Sequence, residues 1–282
     1  MTNPPPATPP ATGVTGRKRV GGSINPLGFL PKSINDAFAQ IRERHGATAI
    51  ERVEAMLHPR QQARHPMQAK AKWIMPGLST TPWRDPHEHA ALAPLVNALE
   101  SNHAAIKAEY EQTWQARAGG MDNYNHYLVK DAAFWKALYL YKDGALVSDT
   151  AAQTPFIYNL VDQYAVQTGV ICPLLESHFS TLMPGGVIPP HCDLWNFSLN
   201  LHFAIDIPST TECAITVAGE ARPWQEGKCL YFDYSYEHEA YNRSDRRRTC
   251  LLMDVWNPEV SLPEREALVV LVTEMRSLLG TL

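Results

Sequence analysis

From Ser33 onward, apolar positions recur at helical spacing. In S-I-N-D-A-F-A-Q-I-R-E-R-H, Ile34, Phe38 and Ile41 fall near one face. A-T-A-I-E-R-V-E-A-M-L-H repeats the pattern with Ile50, Val53 and Leu57, and Pro59 stops it. The run A-L-A-P-L-V-N-A-L-E-S-N-H-A-A-I-K-A-E-Y predicts a third helix with Leu95, Leu99 and Ile106 on its buried stripe. After Gly169 the spacing changes. Short β-rich runs alternate with turn residues: F-S-T-L-M, F-S-L-N-L-H-F-A-I, A-I-T-V, K-C-L-Y-F-D and R-T-C-L-L-M-D-V-W. Short strands at this close spacing predict a sandwich or barrel of the jelly-roll kind. The final stretch L-P-E-R-E-A-L-V-V-L-V-T-E-M-R-S-L-L returns to helix. The expected layout is a helical N-terminal half and an all-β C-terminal half that carries the chemistry, closed by a helix.

Composition narrows this picture. The chain has 282 residues, 45% hydrophobic and 19% charged, which is ordinary for a globular protein with a sizeable core. A formal net charge of -4 gives no reason to expect nucleic acid or an anionic membrane as partner. No apolar run is long enough to span a bilayer, and M-T-N-P-P-P-A-T-P-P-A-T lacks the charged start and apolar stretch of a signal peptide, so the expected compartment is the cytoplasm. The five cysteines, Cys172, Cys192, Cys213, Cys229 and Cys250, are scattered and form no C-x-x-C pair, which indicates neither a disulfide framework nor a zinc site. Residues 1–20, rich in Pro, Thr and Ala and ending near the basic run Arg17-Lys18-Arg19, read as a flexible tail. Residues 21–69 read as a helical extension, and 70–282 as the functional domain.

Within the β half, some polar residues do not fit a strand. P-P-H-C-D places His191 and Asp193 two apart, and alternation along a strand would turn them to the same side. A second isolated histidine, His238, follows in F-D-Y-S-Y-E-H-E-A-Y-N. Two histidines and one carboxylate on one side of a β-scaffold make the facial triad that holds non-haem Fe(II), with positions left open for a cosubstrate and O₂. Taken alone, H-x-D is a weak signal, and such a pair is more often a surface turn or a satisfied polar pair than a pair of ligands. By the same alternation Cys192 faces away from the metal. His87 and His89, near a helix start, read as surface residues.

The words around these residues resemble one family. M-P-G-G-V-I-P-P-H-C-D, N-F-S-L-N-L-H-F-A-I-D-I-P, W-Q-E-G-K-C-L-Y-F-D-Y-S-Y-E-H-E-A-Y-N and R-T-C-L-L-M-D-V-W-N-P-E-V together resemble the aspartyl/asparaginyl β-hydroxylases, and W-I-M-P-G-L-S-T-T-P-W is similar to that family's opening. The likeness runs from about residue 70 to 268. It implies a double-stranded β-helix core, jelly-roll and cupin-like, and dependence on Fe(II) and 2-oxoglutarate with O₂ as cosubstrate. Carried onto matching positions, it implies that His191 and His238 bind the metal. It also implies that Arg248, ten residues after His238, pairs with the distal carboxylate of 2-oxoglutarate, and that Ser180 and His202 also contact the cosubstrate. A guanidinium suits this task because its planar fork meets a carboxylate with two parallel bonds. Arg246 and Arg247 read as solvated members of the same run, and Asp233 as structural.

Two departures from the family's membrane-anchored peptidyl branch bear on substrate. That branch has glycine where this chain has Asp193, so His191, Asp193 and His238 suggest a full triad. It has arginines where this chain has Ser198 and Asn200, which cannot form a charge-assisted bond to an acidic substrate. Ser198 and Asn200, with Trp195 beside the metal strand, are candidate substrate contacts. The expectation is therefore a hydroxylase that acts on an unactivated C–H of a small molecule, such as an amino acid or related metabolite. The competing readings are a peptidyl Asp/Asn β-hydroxylase and a non-catalytic jelly-roll that binds a metal or an organic acid.

Overall fold

The computed structural model describes residues 30–58, 64–117, 121–123 and 132–279. Two compact units divide the chain, Met1–Leu30 and Pro31–Leu282. The expected tail at 1–20, with its basic run, and Pro59 lie outside the described residues. Of the expected extension at 21–69, the described residues from Pro31 onward belong to the larger unit.

In chain order the helices are α1 (Lys32–His45), α2 (Glu51–Met56), α3 (Ala93–Ser101), α4 (His103–Ala116), α5 (Ser148–Gln153), α6 (Pro155–Val161) and α7 (Leu262–Leu279). The strands are β1 (Trp83–Arg84), β2 (Asp122–Asn123), β3 (Trp135–Lys142), β4 (Ala145–Leu146), β5 (Ser177–Leu182), β6 (Val187–His191), β7 (Ser198–Asp206), β8 (Cys213–Val217), β9 (Glu220–Pro223), β10 (Cys229–Phe232), β11 (His238–Asn242) and β12 (Arg248–Trp256). The strands form two antiparallel sheets. The larger runs β1-β10-β7-β12-β5-β3-β2, with β4 on β3, and the smaller runs β6-β11-β8-β9. Consecutive strands β5, β6 and β7 pass from the larger sheet to the smaller and back, which is the double-stranded β-helix.

Alternation explains why the larger sheet is buried on both faces. Along β7, Leu199, Leu201, Phe203 and Ile205 join Leu251, Met253 and Val255 of β12 and Phe179 of β5 in one apolar cluster with Leu95, Val96 and Leu99 of α3 and Ile106 and Tyr110 of α4. The intervening positions, Asn200 and His202 of β7, Arg248 and Asp254 of β12, and His178 and Ser180 of β5, are equally buried and line a cavity on the other face. One face of each strand thus supplies the core and the other the polar groups.

Two expectations needed correction. The third helix is two helices, broken at Asn102, whose side-chain Nδ2 donates to the Ala98 carbonyl at 2.7 Å. Asparagine side chains bond locally to backbone groups and so compete with continued helix. The N-terminal half is also not purely helical, because β3 pairs along the outer side of β5.

α7 begins with the Glu264 half of a capping box. The backbone N–H and hydroxyl of Ser261 both donate to Glu264 Oε2 at 2.8 Å. Arg52 of α2 clamps the same carboxylate from Nε at 2.7 Å and from Nη2 at 2.6 Å. Burial alone would raise the Glu264 carboxyl, but these donors outweigh it and hold it below the usual range. A depressed folded-state value means stability that is present above the unfolded carboxyl range and lost as pH falls through the folded one. Glu264→Gln is therefore expected to be less stable than the parent at neutral pH and to converge with it in acid, as read from urea midpoints across pH.

Candidate functional site

His191 ends β6 and His238 begins β11, and the register of these strands sets the two directly opposite each other. Their rings lie 4.1 Å apart between centroids. Nδ1 of His191 bonds to the Pro189 carbonyl at 2.8 Å, and Nδ1 of His238 to the Tyr236 carbonyl at 2.9 Å. A carbonyl only accepts, so each Nδ1 carries the proton and each Nε2 keeps its lone pair for a metal. Asp193 completes the group. One potential ligand atom from each of His191, Asp193 and His238 lies within 4.8 Å of the others, and Asp193 Oδ2 is 3.5 Å from His238 Nε2.

The structural reason for this convergence differs from the expected one. β6 ends at His191, so Asp193 is not placed by strand alternation. It sits in the following loop, held by its backbone N–H to the Tyr234 carbonyl at 3.0 Å. The Cys192 thiol turns to the Met67 carbonyl at 3.4 Å.

The three groups open into a cavity of about 380 Å³. Arg248, Ser180 and His202 line it too. Arg248 is 1% exposed, and no carboxylate among the described residues pairs with it. Its guanidinium lies over the Trp224 ring at 4.2 Å and reaches the Ser180 carbonyl at 3.4 Å, and Nε has no partner among the described residues. Trp224 also stacks on His202, at 7° between planes, and donates from Nε1 to His202 Nδ1 at 3.3 Å. Burial first, then the Arg248 cation, holds the His202 imidazole well below its usual range. His202 is thus neutral, and because Nδ1 accepts, its proton is on Nε2. Ser180 Oγ accepts from Trp135 Nε1 at 2.9 Å, which leaves its hydroxyl proton to donate.

The candidate substrate contacts divide. Asn200 lines the cavity and donates from Nδ2 to Asp254 Oδ1 at 2.9 Å. Trp195 and Ser198 do not line it. Trp195 packs between Trp73 and Phe197 and donates to Ser198 Oγ, which is also bonded to the Tyr234 hydroxyl. Lining residues that sequence reasoning did not single out are Trp224, Tyr234, Glu176, His178 and Asp254. Trp224 and Asp254 stand inside the motifs W-Q-E-G-K and D-V-W, but nothing in a motif tells which side of the strand faces a cavity.

The remaining polar residues lie elsewhere. Asp233 is wholly buried and accepts from the Ser235 backbone and hydroxyl at 2.9 and 2.6 Å. His87 is exposed beside Glu100, and His89 accepts from the amides of Ala91 and Leu92 ahead of α3. Arg247 pairs with Glu111 over Trp114, and Arg246 is exposed. No helix among the described residues is long and apolar enough to cross a membrane.

Residues 100–258 match the profile of the family described as "Aspartyl/Asparaginyl beta-hydroxylase". The mouse protein "Aspartyl/asparaginyl beta-hydroxylase" is 30% identical over 192 residues, 68% of this chain and 25% of that protein. The human "Aspartate beta-hydroxylase domain-containing protein 2" is 29% identical over 212 residues, covering 73% of this chain and 55% of that one. The "Ornithine lipid ester-linked acyl 2-hydroxylase" of Rhizobium tropici is 29% identical over 174 residues, 60% and 59% of the two chains. The chain thus spans only a quarter of the mouse protein's length. Among solved structures, the alpha ketoglutarate dependent carbocyclase SnoK aligns at TM-score 0.40 with 14% identity, over 56% of this chain and 76% of that one. A Pseudomonas putida prolyl-4-hydroxylase aligns at 0.36 with 12% identity, over 57% and 98%. The profile takes in β5 to β12, and with them both histidines, Asp193 and Arg248, and on that match this chain belongs to the aspartyl/asparaginyl beta-hydroxylase family.

Proposed function

We propose that this chain is an Fe(II)- and 2-oxoglutarate-dependent dioxygenase that hydroxylates a C–H bond of a small molecule. One observation carries the reading: a buried arginine with no carboxylate partner among the described residues shares a cavity with two histidines and an aspartate whose ligand atoms converge. A buried cation is costly unless paired, and a dicarboxylate cosubstrate supplies the missing partner. The donor set of two imidazoles and one carboxylate suits Fe(II) and leaves coordination positions free.

His191 and His238 would hold the metal through Nε2, and Asp193 through a carboxylate oxygen. Arg248 would bind the distal carboxylate of 2-oxoglutarate, with donors from the Ser180 hydroxyl and His202 Nε2 beside it. Trp224 would keep both Arg248 and His202 in place, lying against the one and stacked on the other. When bound, Fe(II) and 2-oxoglutarate supply the activation of O₂, with decarboxylation of the keto acid to succinate and CO₂ and transfer of one oxygen atom into the substrate. The protein's share is to orient the groups and shield them.

The cavity volume, which must also accommodate the keto acid, favours a small substrate or one slender group of a larger one. Asn200 speaks against an acidic peptide side chain, since an amide supplies no positive charge. The test is succinate formation from 2-oxoglutarate with Fe(II) and ascorbate. The expected result is iron-dependent succinate. A jelly-roll that only binds organic acid would release none, and that outcome would sink the reading.

A further inference from the structure

The cavity is electrically polar from end to end. Along β12 the inward positions run from Arg248 to Asp254, six residues apart, or about 20 Å of extended chain. The register sets Asp254 opposite Asn200 of β7, and the Asp254 carboxylate accepts from the Glu176 backbone N–H at 3.1 Å. The Arg248 end is cationic. The Asp254 end carries Asp254 and Glu176, and Lys72, the other Lys or Arg in the lining, is exposed to solvent.

The acidic end also has acceptors in excess of donors. Asp254 is 7% exposed and no Lys, Arg or His among the described residues forms an ion pair with it. Asn200 is 8% exposed, spends its Nδ2 on Asp254, and has a buried Oδ1 with no hydrogen-bond partner among the described residues. The Glu176 carboxylate is half-buried beside them, with Nδ1 of the buried His178 imidazole 3.7 Å from its Oε2, and burial keeps that imidazole uncharged. Burial pushes the Asp254 carboxyl up to about 7, against the pull of its two N–H donors, as expected of a carboxylate taken out of water without a cation. Asn200 is an uncharged amide and leaves that charge unbalanced.

We propose that the Asp254–Asn200–Glu176 end of the cavity binds a protonated amine of the substrate. An ammonium presents three donors and no acceptor, which complements a wall offering two carboxylates and one unpartnered amide oxygen. The assignment deepens the dioxygenase reading and rests on it for the fate of the bound amine, which would be held by its nitrogen while a C–H bond elsewhere in it faces the metal ligands.

The test is calorimetric titration of the full chain, alone and with Mn(II) and 2-oxoglutarate. The probes are the protein amino acids and simple alkylamines, each beside its fully N-acetylated derivative. At least one amine should bind, and acetylation should weaken it by about tenfold or more, since a charge-assisted bond is lost. Asn200→Arg places a cation against Asp254 and should weaken the same amine at least as much, as should Asp254→Asn. Glu176→Gln, at a less buried position, gives a smaller loss in the same direction and keeps the test valid if the Asp254 variant does not fold. Binding of no amine, equal binding of acetylated probes, or an undiminished Asn200→Arg variant overturns the assignment. Succinate formation is read separately. Turnover without amine preference removes the amine site and leaves the dioxygenase standing. Amine binding without turnover does the reverse.

Discussion

His191→Ala and His238→Ala are each expected to abolish iron-dependent turnover, and with it detectable Fe(II) retention. Both imidazoles present Nε2 to one point because each Nδ1–H is tied to a carbonyl two residues earlier in the chain. Removing one leaves two groups, which rarely hold a labile divalent ion in a defined geometry. The measurement is succinate formation across an iron titration, together with metal content after gel filtration. Asp193→Ala belongs to the same series and should show a large rise in the iron concentration needed. Full activity of either histidine variant at limiting iron would mean that the trio is not the metal centre. The variants should fold, because the rings are buried against each other and not in the apolar core of the larger sheet.

The second large effect is at Arg248. Arg248→Met keeps the stem and removes the fork, and the incoming carboxylate is then buried without its partner. Truncating one side of a buried charged pair costs on the order of 2–5 kcal/mol, so the apparent affinity for 2-oxoglutarate should fall by roughly thirtyfold or more. Arg247→Met is the internal control. Arg247 faces the other way, to Glu111 and Trp114, and its loss should leave 2-oxoglutarate affinity near the parent value. Quenching of tryptophan fluorescence reports this directly, since Trp224 lies against the Arg248 guanidinium. Equal losses from both variants would place the cosubstrate elsewhere.

Periodicity and motif carried the reading of the elements a long way, for a physical reason. The strands of the larger sheet are buried on both faces, so β7 and β12 stand out as mainly apolar runs interrupted by residues such as Asn200, His202 and Asp254. Those interruptions are affordable only where a cavity or a partner receives them. Helix α7 was equally legible, because the spacing of its apolar positions is local. The split at Asn102 and the strand status of β3 were not: the first depends on a side chain competing for one carbonyl, the second on a partner strand about forty residues away.

From the sequence alone came the residue types of the site: two histidines, an aspartate near one of them, and an arginine at a fixed remove. Only the tertiary structure decided which of them meet. The β6–β11 register puts His191 opposite His238, a loop held by Tyr234 brings in Asp193, and pairing across three strands sets Arg248 at one end of the cavity and Asp254 at the other. It also decided that Trp195 and Ser198 pack behind the wall while Asn200 faces inward. Spacing along a chain fixes a side chain's phase only within its own element. Distances between elements are set by hydrogen-bond register and by burial of the opposite face, and neither is written in any one segment.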